Sequence, residues 1–243
     1  TSGSFTGNVT VSGASSFTGG NLAASLIGGG SVTTANGTTI NGNLSNNYGA
    51  VSLDGGRVGS INAAQNVSTS NGTAVTGELT ARGDVTLGSL SSIGGKVSAR
   101  NVIANETTFS GDITVTEGLV TLTGGSVTGN INSNCCTVTL NQVQINGNVT
   151  TSQNNIVLDG STITGNLVTT HRVQLLNDSF VYGDVTAATW DNSTIYGTGS
   201  SHVYGVCTPS ATNPDDLCDG VIVPTCLTEN GPDSFDRSLL GSD

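Results

Sequence analysis

One five-residue phrase recurs at constant distance through the middle of the chain: VTGNI (127–131), INGNV (145–149), ITGNL (163–167) and VYGDV (181–185). Its glycines, Gly129, Gly147, Gly165 and Gly183, are evenly spaced, and a leucine column of Leu122, Leu140, Leu158 and Leu176 keeps the same step. A unit this short cannot bury its own apolar face, so units must stack on one another as a solenoid. Inside each unit, apolar and polar residues alternate and β-branched residues dominate, which is the strand pattern. Stacking such strands like upon like gives an all-β chain, a single-stranded parallel β-helix with about 18 residues per coil. Val, Gly and Ile of each phrase are expected on the inward side and Thr and Asn on the outward side.

Earlier phrases follow the same rhythm: FTGNV (5–9), INGNL (40–44), the shortened VGSI (58–61), VTGEL (75–79), IGGKV (93–97) and FSGDI (109–113). Between Gly7 and Gly42 the glycines do not set a register, and that coil stays unassigned. The step from Gly95 to Gly111 falls two short of the others, so that coil needs a tighter turn. Turns are expected at Asp54-Gly55-Gly56, Thr123-Gly124-Gly125, Asp159-Gly160-Ser161 and Gln153-Asn154-Asn155, where Gly and Asn tolerate a left-handed backbone. After Ile195-Tyr196-Gly197 and Val203-Tyr204-Gly205 the pattern stops. Residues 1–205 therefore read as β-helix and 206–243 as a separate, non-repetitive tail.

The tail holds all four prolines and three of the five cysteines, Cys207, Cys218 and Cys226. Proline cannot donate to a strand ladder, so this segment reads as a cap over the last coil or a clamp on a neighbour. A disulfide is expected here, with Cys207 and Cys218 the first choice of pair, and it favours an oxidising compartment. Cys135 and Cys136, adjacent in an extended segment, read as one buried and one exposed thiol.

Charge removes several functions. The net charge is −11 with six Lys and Arg scattered along the chain, so neither nucleic acid nor an anionic membrane is an expected partner. No apolar run is long enough to span a bilayer. Thr1 opens directly into strand-like sequence, so an exported form would have shed its signal peptide.

Three constellations could carry chemistry. The position after each central glycine forms an outward column, Asn130, Asn148, Asn166 and Asp184, preceded by Asp112, Lys96 and Glu78. Stacked amides hydrogen-bonded from coil to coil account for it better than an ion groove, since the Asn stretch lacks the charge a calcium site uses. Four aromatics, Tyr182, Trp190, Tyr196 and Tyr204, gather near the end of the repeat, and the three tyrosines, each preceding a glycine, are expected to face outward. They could form a shelf for the tail or stack on sugar rings. Paired carboxylates would suit a polysaccharide-cleaving enzyme, but Asp112 and Glu78 are two coils apart, Asp159 and Asp54 several, and neither pair has a cationic stabiliser. No catalytic, cofactor or metal site is expected, and neither His171 nor His202 has ligands at metal spacing.

The repeated INGNV, ITGNL, VTGNI, FSGDI and VYGDV resemble the coils of the bactofilins, over roughly Val58 to Gly197. The resemblance implies a right-handed parallel β-helix that polymerises end to end without nucleotide. Bactofilins are short and cytoplasmic, whereas this chain has roughly eleven coils and an acidic Pro/Cys tail. Its closing VYGVCTPS, followed by Cys218 and Cys226, is similar to exported bactofilin-like segments of pilus-biogenesis proteins of the mannose-sensitive haemagglutinin type.

The expected function is a bacterial structural protein, self-assembling head to tail at the cell surface or outside the cell, with cytoplasmic location as the alternative. Thr1–Val9 enters the repeat at once, so the N-terminal face is expected to be bare. The competing expectation is a monomeric adhesin or carbohydrate-binding β-helix, with surface polysaccharide as partner.

Overall fold

A computed structural model of the chain describes residues 4–187, 195–208 and 217–218. The described residues are all strand, turn and bend, without helix, and every strand pairing is parallel. Each coil contributes three strands. In one coil these are the beat strand (Ser126–Thr128 within Val120–Thr128), a second strand Ile131–Ser133 and a third strand Val138–Asn141, after which the next beat strand Gln144–Asn146 begins. Second strands stack only on second strands and form a sheet of 12. Beat and third strands join into one sheet because Val102–Phe109 and Val120–Thr128 run through the corner between them.

Alternation selects what goes inside. Val127, Ile145, Ile163, Val181 and Val203 fill the beat face, Ile131, Val149, Leu167 and Val185 the second, and Val138/Leu140, Ile156/Leu158 and Val173/Leu175 the third, all nearly inaccessible. Full burial of each such side chain is worth about 1.5–3 kcal/mol, and like residues stack directly on like from coil to coil. The leucine column departs from its regular step at the end. Leu158 pairs with Leu175, whereas Leu176 pairs with Asp159 and is only half-buried. One residue is lost before Val173 and regained at the Asn177–Asp178 corner, so Phe180 is again in register with Thr162.

Irregular coils resolve in the same way. In the stretch left unassigned by its glycines, Val9, Leu26 and Leu44 stack, and Ala24 occupies the corner that Gly7 and Gly42 occupy in the flanking coils. The short step from Gly95 to Gly111 is made by two tightened corners, Ala99 to Val102 and Ala104 to Phe109. The corner between third and beat strands needs a left-handed residue. It is supplied by Gly55, Gly124 and Gly160, and elsewhere by Asn36, Asn71, Glu106, Gln142 and Asn177. Shortly after it the chain turns inward. Thr38, Thr73, Thr107, Ser161 and Ser179 are buried there, and each hydroxyl donates to a carbonyl of its own corner. The Asn105-Glu106-Thr107 sequon is thus a corner motif, with Thr107 1% exposed.

Candidate functional site

The landmark glycines are not inward. They are half-exposed at the corner between beat and second strands, and a Cβ on them would point along the helix axis into the preceding coil. At Gly147 it would lie 2.1 Å from the Gly129 carbonyl oxygen, at Gly165 2.5 Å from that of Gly147, and at Gly205 2.4 Å from that of Gly183. Close backbone approach is the cause of the glycine column, and its direction is axial rather than inward.

Beside this corner runs the Asn column. Backbone N–H of Asn130 donates to Asp112 Oδ1 (2.7 Å), Asn148 to Asn130 (3.0 Å), Asn166 to Asn148 (2.8 Å), Asp184 to Asn166 (2.8 Å) and Val206 to Asp184 (2.9 Å). Each side-chain oxygen therefore satisfies the corner N–H of the following coil. A second run begins earlier, from Asn8 through Ser25, Asn43 and Ser60 to the Glu78 N–H. The runs are separated at Lys96, whose ammonium has no acceptor to offer. No group of metal-ligating side chains converges among the described residues.

The aromatic set divides. Tyr182 and Tyr204 stack with ring centroids 4.8 Å apart at 10°, and His202 meets Tyr204 edge-on at 4.7 Å. Both tyrosines are about half exposed, at 55% and 48%. Tyr196 is outward too, but the Ile195–Gly197 strand pairs with Val173–Leu176 on the third face and is not a beat. The coil between Val185 and Cys207 is longer than its neighbours, and its extra residues precede Ile195. Trp190 and Cys226 lie outside the described residues.

Both ends of the described coil stack differ from its middle. In the first coil Phe5 is 42% exposed and Val9, Val11 and Phe17 are only partly covered, although their partners Leu22, Leu26, Gly28 and Thr34 are buried. At the other end Cys207–Thr208 still pairs with Val185–Thr186, beyond the expected boundary at 205. There Leu217 is fully buried, packs over Gly197 and accepts the Val203 N–H (2.7 Å), and Cys218 bridges Val203. A disulfide joins Cys207 to Cys218, with Cα atoms 6.0 Å apart. Cys135 and Cys136 are also disulfide-linked, Cα to Cα 3.7 Å, and not one buried and one exposed thiol. The corner presents both side chains half-buried on one side, and only the adjacency of the two cysteines hinted at it. Another feature unread in the sequence is a fork of Arg100 on Asp84 (Nε to Oδ1 3.0 Å, Nη2 to Oδ2 3.1 Å), which, with an Asn101 bond, holds the Asp84 carboxyl below its ordinary range.

Carboxylates do not pair: Glu78 and Asp112 stand two coils apart along the ladder, and Asp54 and Asp159 occupy equivalent corners far apart along the axis. No helix of the described residues is long and apolar enough to cross a membrane. Comparison with curated proteins and with solved structures gave no match to the chain. Residues 101–194, which include the most regular coils, do match the family model of the bactofilins, the polymer-forming cytoskeletal proteins.

Proposed function

We propose that this protein is a structural subunit that self-associates head to tail into a filament, and that it is a scaffold rather than a catalyst. The observation that carries the reading is the match of residues 101–194 to a polymer-forming family. The coil stack supports it. Coil stacks on coil through parallel, in-register strands with like residues over like, a contact that can be repeated between subunits as it is within one. Such a contact is heterologous and does not close, so it propagates, each subunit adding roughly 50 Å from about eleven coils at ~4.8 Å. The two disulfides favour an oxidising setting, at the cell surface or outside the cell, over the cytoplasm where bactofilins reside. Electron microscopy and light scattering of the purified chain test assembly: fibres are expected, and a monomer at high concentration overturns the proposal. Labelling of intact cells with an impermeant reagent tests location.

A second reading, a monomeric adhesin or carbohydrate-binding β-helix, is favoured by one observation, the exposed Tyr182–Tyr204 stack. It predicts that Tyr182→Ala with Tyr204→Ala abolishes polysaccharide binding and leaves particle size unchanged.

A further inference from the structure

We propose that Cys135 and Cys136 form a reversible thiol–disulfide exchange site, whose reactants are small thiols and disulfides. The pair occupies the corner between Ile131–Ser133 and Val138–Asn141. The same corner is made by Glu117-Gly118 one coil earlier and by Gln153-Asn154 one coil later, so its shape does not call for cysteine. Nor does its stability call for a bridge. Ser133 Oγ and Thr151 Oγ1 each donate to the Cys136 carbonyl (3.0 Å both), and the Cys136 N–H donates to Ser133 Oγ (3.3 Å). Ser133 and Thr151 are 3% and 1% exposed, so these bonds hold the backbone without using sulfur. A bridge between neighbours in sequence closes almost no loop and removes little freedom from the unfolded chain. Cys207–Cys218 differs, because it closes an eleven-residue separation and fixes Leu217 over the core. The reduced state is provided for as well: Cys136 Sγ lies 3.6 Å from the Glu117 carbonyl oxygen, an acceptor for a thiol S–H.

In the exchange, a thiolate RS⁻ attacks one cysteine sulfur. An RS–S bond forms, the bond between the two cysteine sulfurs breaks, and its electron pair leaves on the other cysteine, which takes a proton from water. A second RS⁻ attacks the mixed disulfide, releasing RSSR and the second cysteine thiolate, so two thiols are oxidised as one disulfide is reduced. An added disulfide such as oxidised glutathione runs the steps backward. Both bridges are half-buried, so what separates them is anchorage: a bridge that closes almost no loop opens more readily than one that fastens a packed segment.

The test is graded dithiothreitol on the full chain, followed by alkylation and peptide mass spectrometry. Cys135 and Cys136 should be alkylated at about a tenth of the reductant needed for Cys207 and Cys218. Circular dichroism and particle size should not change, and oxidised glutathione should re-form the bridge. Opening no earlier than Cys207–Cys218, opening only with loss of β signal, or failure to re-close each overturns the proposal. The Cys135→Ser/Cys136→Ser variant separates the roles further: unchanged melting is expected, and a clear drop would make the pair a structural brace instead.

Discussion

Replacing Gly147 by Ala adds one carbon where the fold has no room. That carbon would stand 2.1 Å from the Gly129 carbonyl oxygen and 2.6 Å from its carbon, both backbone, whereas ordinary contact begins at 3.4 Å. The coils must part by more than an ångström at this corner, since a backbone carbonyl cannot rotate away as a side chain would. Parting them stretches the Gly129 N–H bond to the Asn146 carbonyl (3.1 Å) and the Asn148 N–H bond to Asn130 (3.0 Å). Overpacking costs about 1–3 kcal/mol and a weakened hydrogen bond about 1 kcal/mol, so a loss of about 2–4 kcal/mol is expected. For a chain of this size that lowers the melting temperature by roughly 5–15 °C, read by circular dichroism. Gly7→Ala, melted as the unassembled chain, is the control, because a Cβ there meets nothing within 4 Å. If both variants melt alike, or Gly147→Ala melts with the parent, axial close packing is not what the glycine column is for.

Other expectations are shorter. Leu90 holds a left-handed backbone (φ 64°) while 76% exposed, so Leu90→Asn should raise stability by about 0.5–1 kcal/mol, seen as a higher melting temperature. Leu140→Asp puts an unpaired charge at a fully buried site and should remove most β signal at neutral pH. Asp84 is held below its ordinary value of 3.8 chiefly by the Arg100 hydrogen bond, so its contribution is present above that value and lost as pH falls through the lower folded value. The melting difference between parent and Asp84→Asn should therefore be largest near neutrality and vanish in acid, and it should be small because the pair is partly exposed.

Period and alternation were enough to read the β-helix from the chain, because every coil repeats one steric solution. Reading failed where a coil reaches that solution with other residues. Ala24 takes a glycine's corner and so hides the second coil, and Leu175 replaces Leu176 because a corner absorbed the slip. Ile195-Tyr196-Gly197 imitates a beat but belongs to another face, since the lengthened coil before Cys207 moves the register. The Asn column was legible as a ladder. The expected side-chain bonds are present from Asn130 to Asp112 and from Asn148 to Asn130, but the bond that recurs at every step, side-chain oxygen to the next backbone N–H, depends on corner geometry that spacing does not encode. Leu217 carried no signal at all: one leucine in an irregular tail has no period to announce that it covers a core.

That leucine allows a decisive experiment on assembly. The described stack ends with Leu217 over Gly197 and its carbonyl on the Val203 N–H, so this end is occupied by the chain's own residues. A following subunit stacking here must either displace them or rest on them. The Cys207–Cys218 bridge sets the balance, because closing a loop of that length is worth about 3 kcal/mol, or roughly a hundredfold in how often the plug leaves. Cys218→Ser releases the tether and leaves Leu217 in place. If the plug is a cap, the variant should nucleate faster and give longer fibres, with faster amide exchange at Val203 and Tyr204. If the plug is part of the contact, the same variant should give fewer and more fragile fibres with the same increase in exchange. Unchanged exchange at Val203 would show that packing alone seats Leu217, and the tether argument would then be wrong whatever the fibres do. Leu217→Gly, which removes the side chain and keeps the bridge, discriminates further. A cap predicts that it too promotes growth, whereas a contact surface built on Leu217 predicts that growth stops.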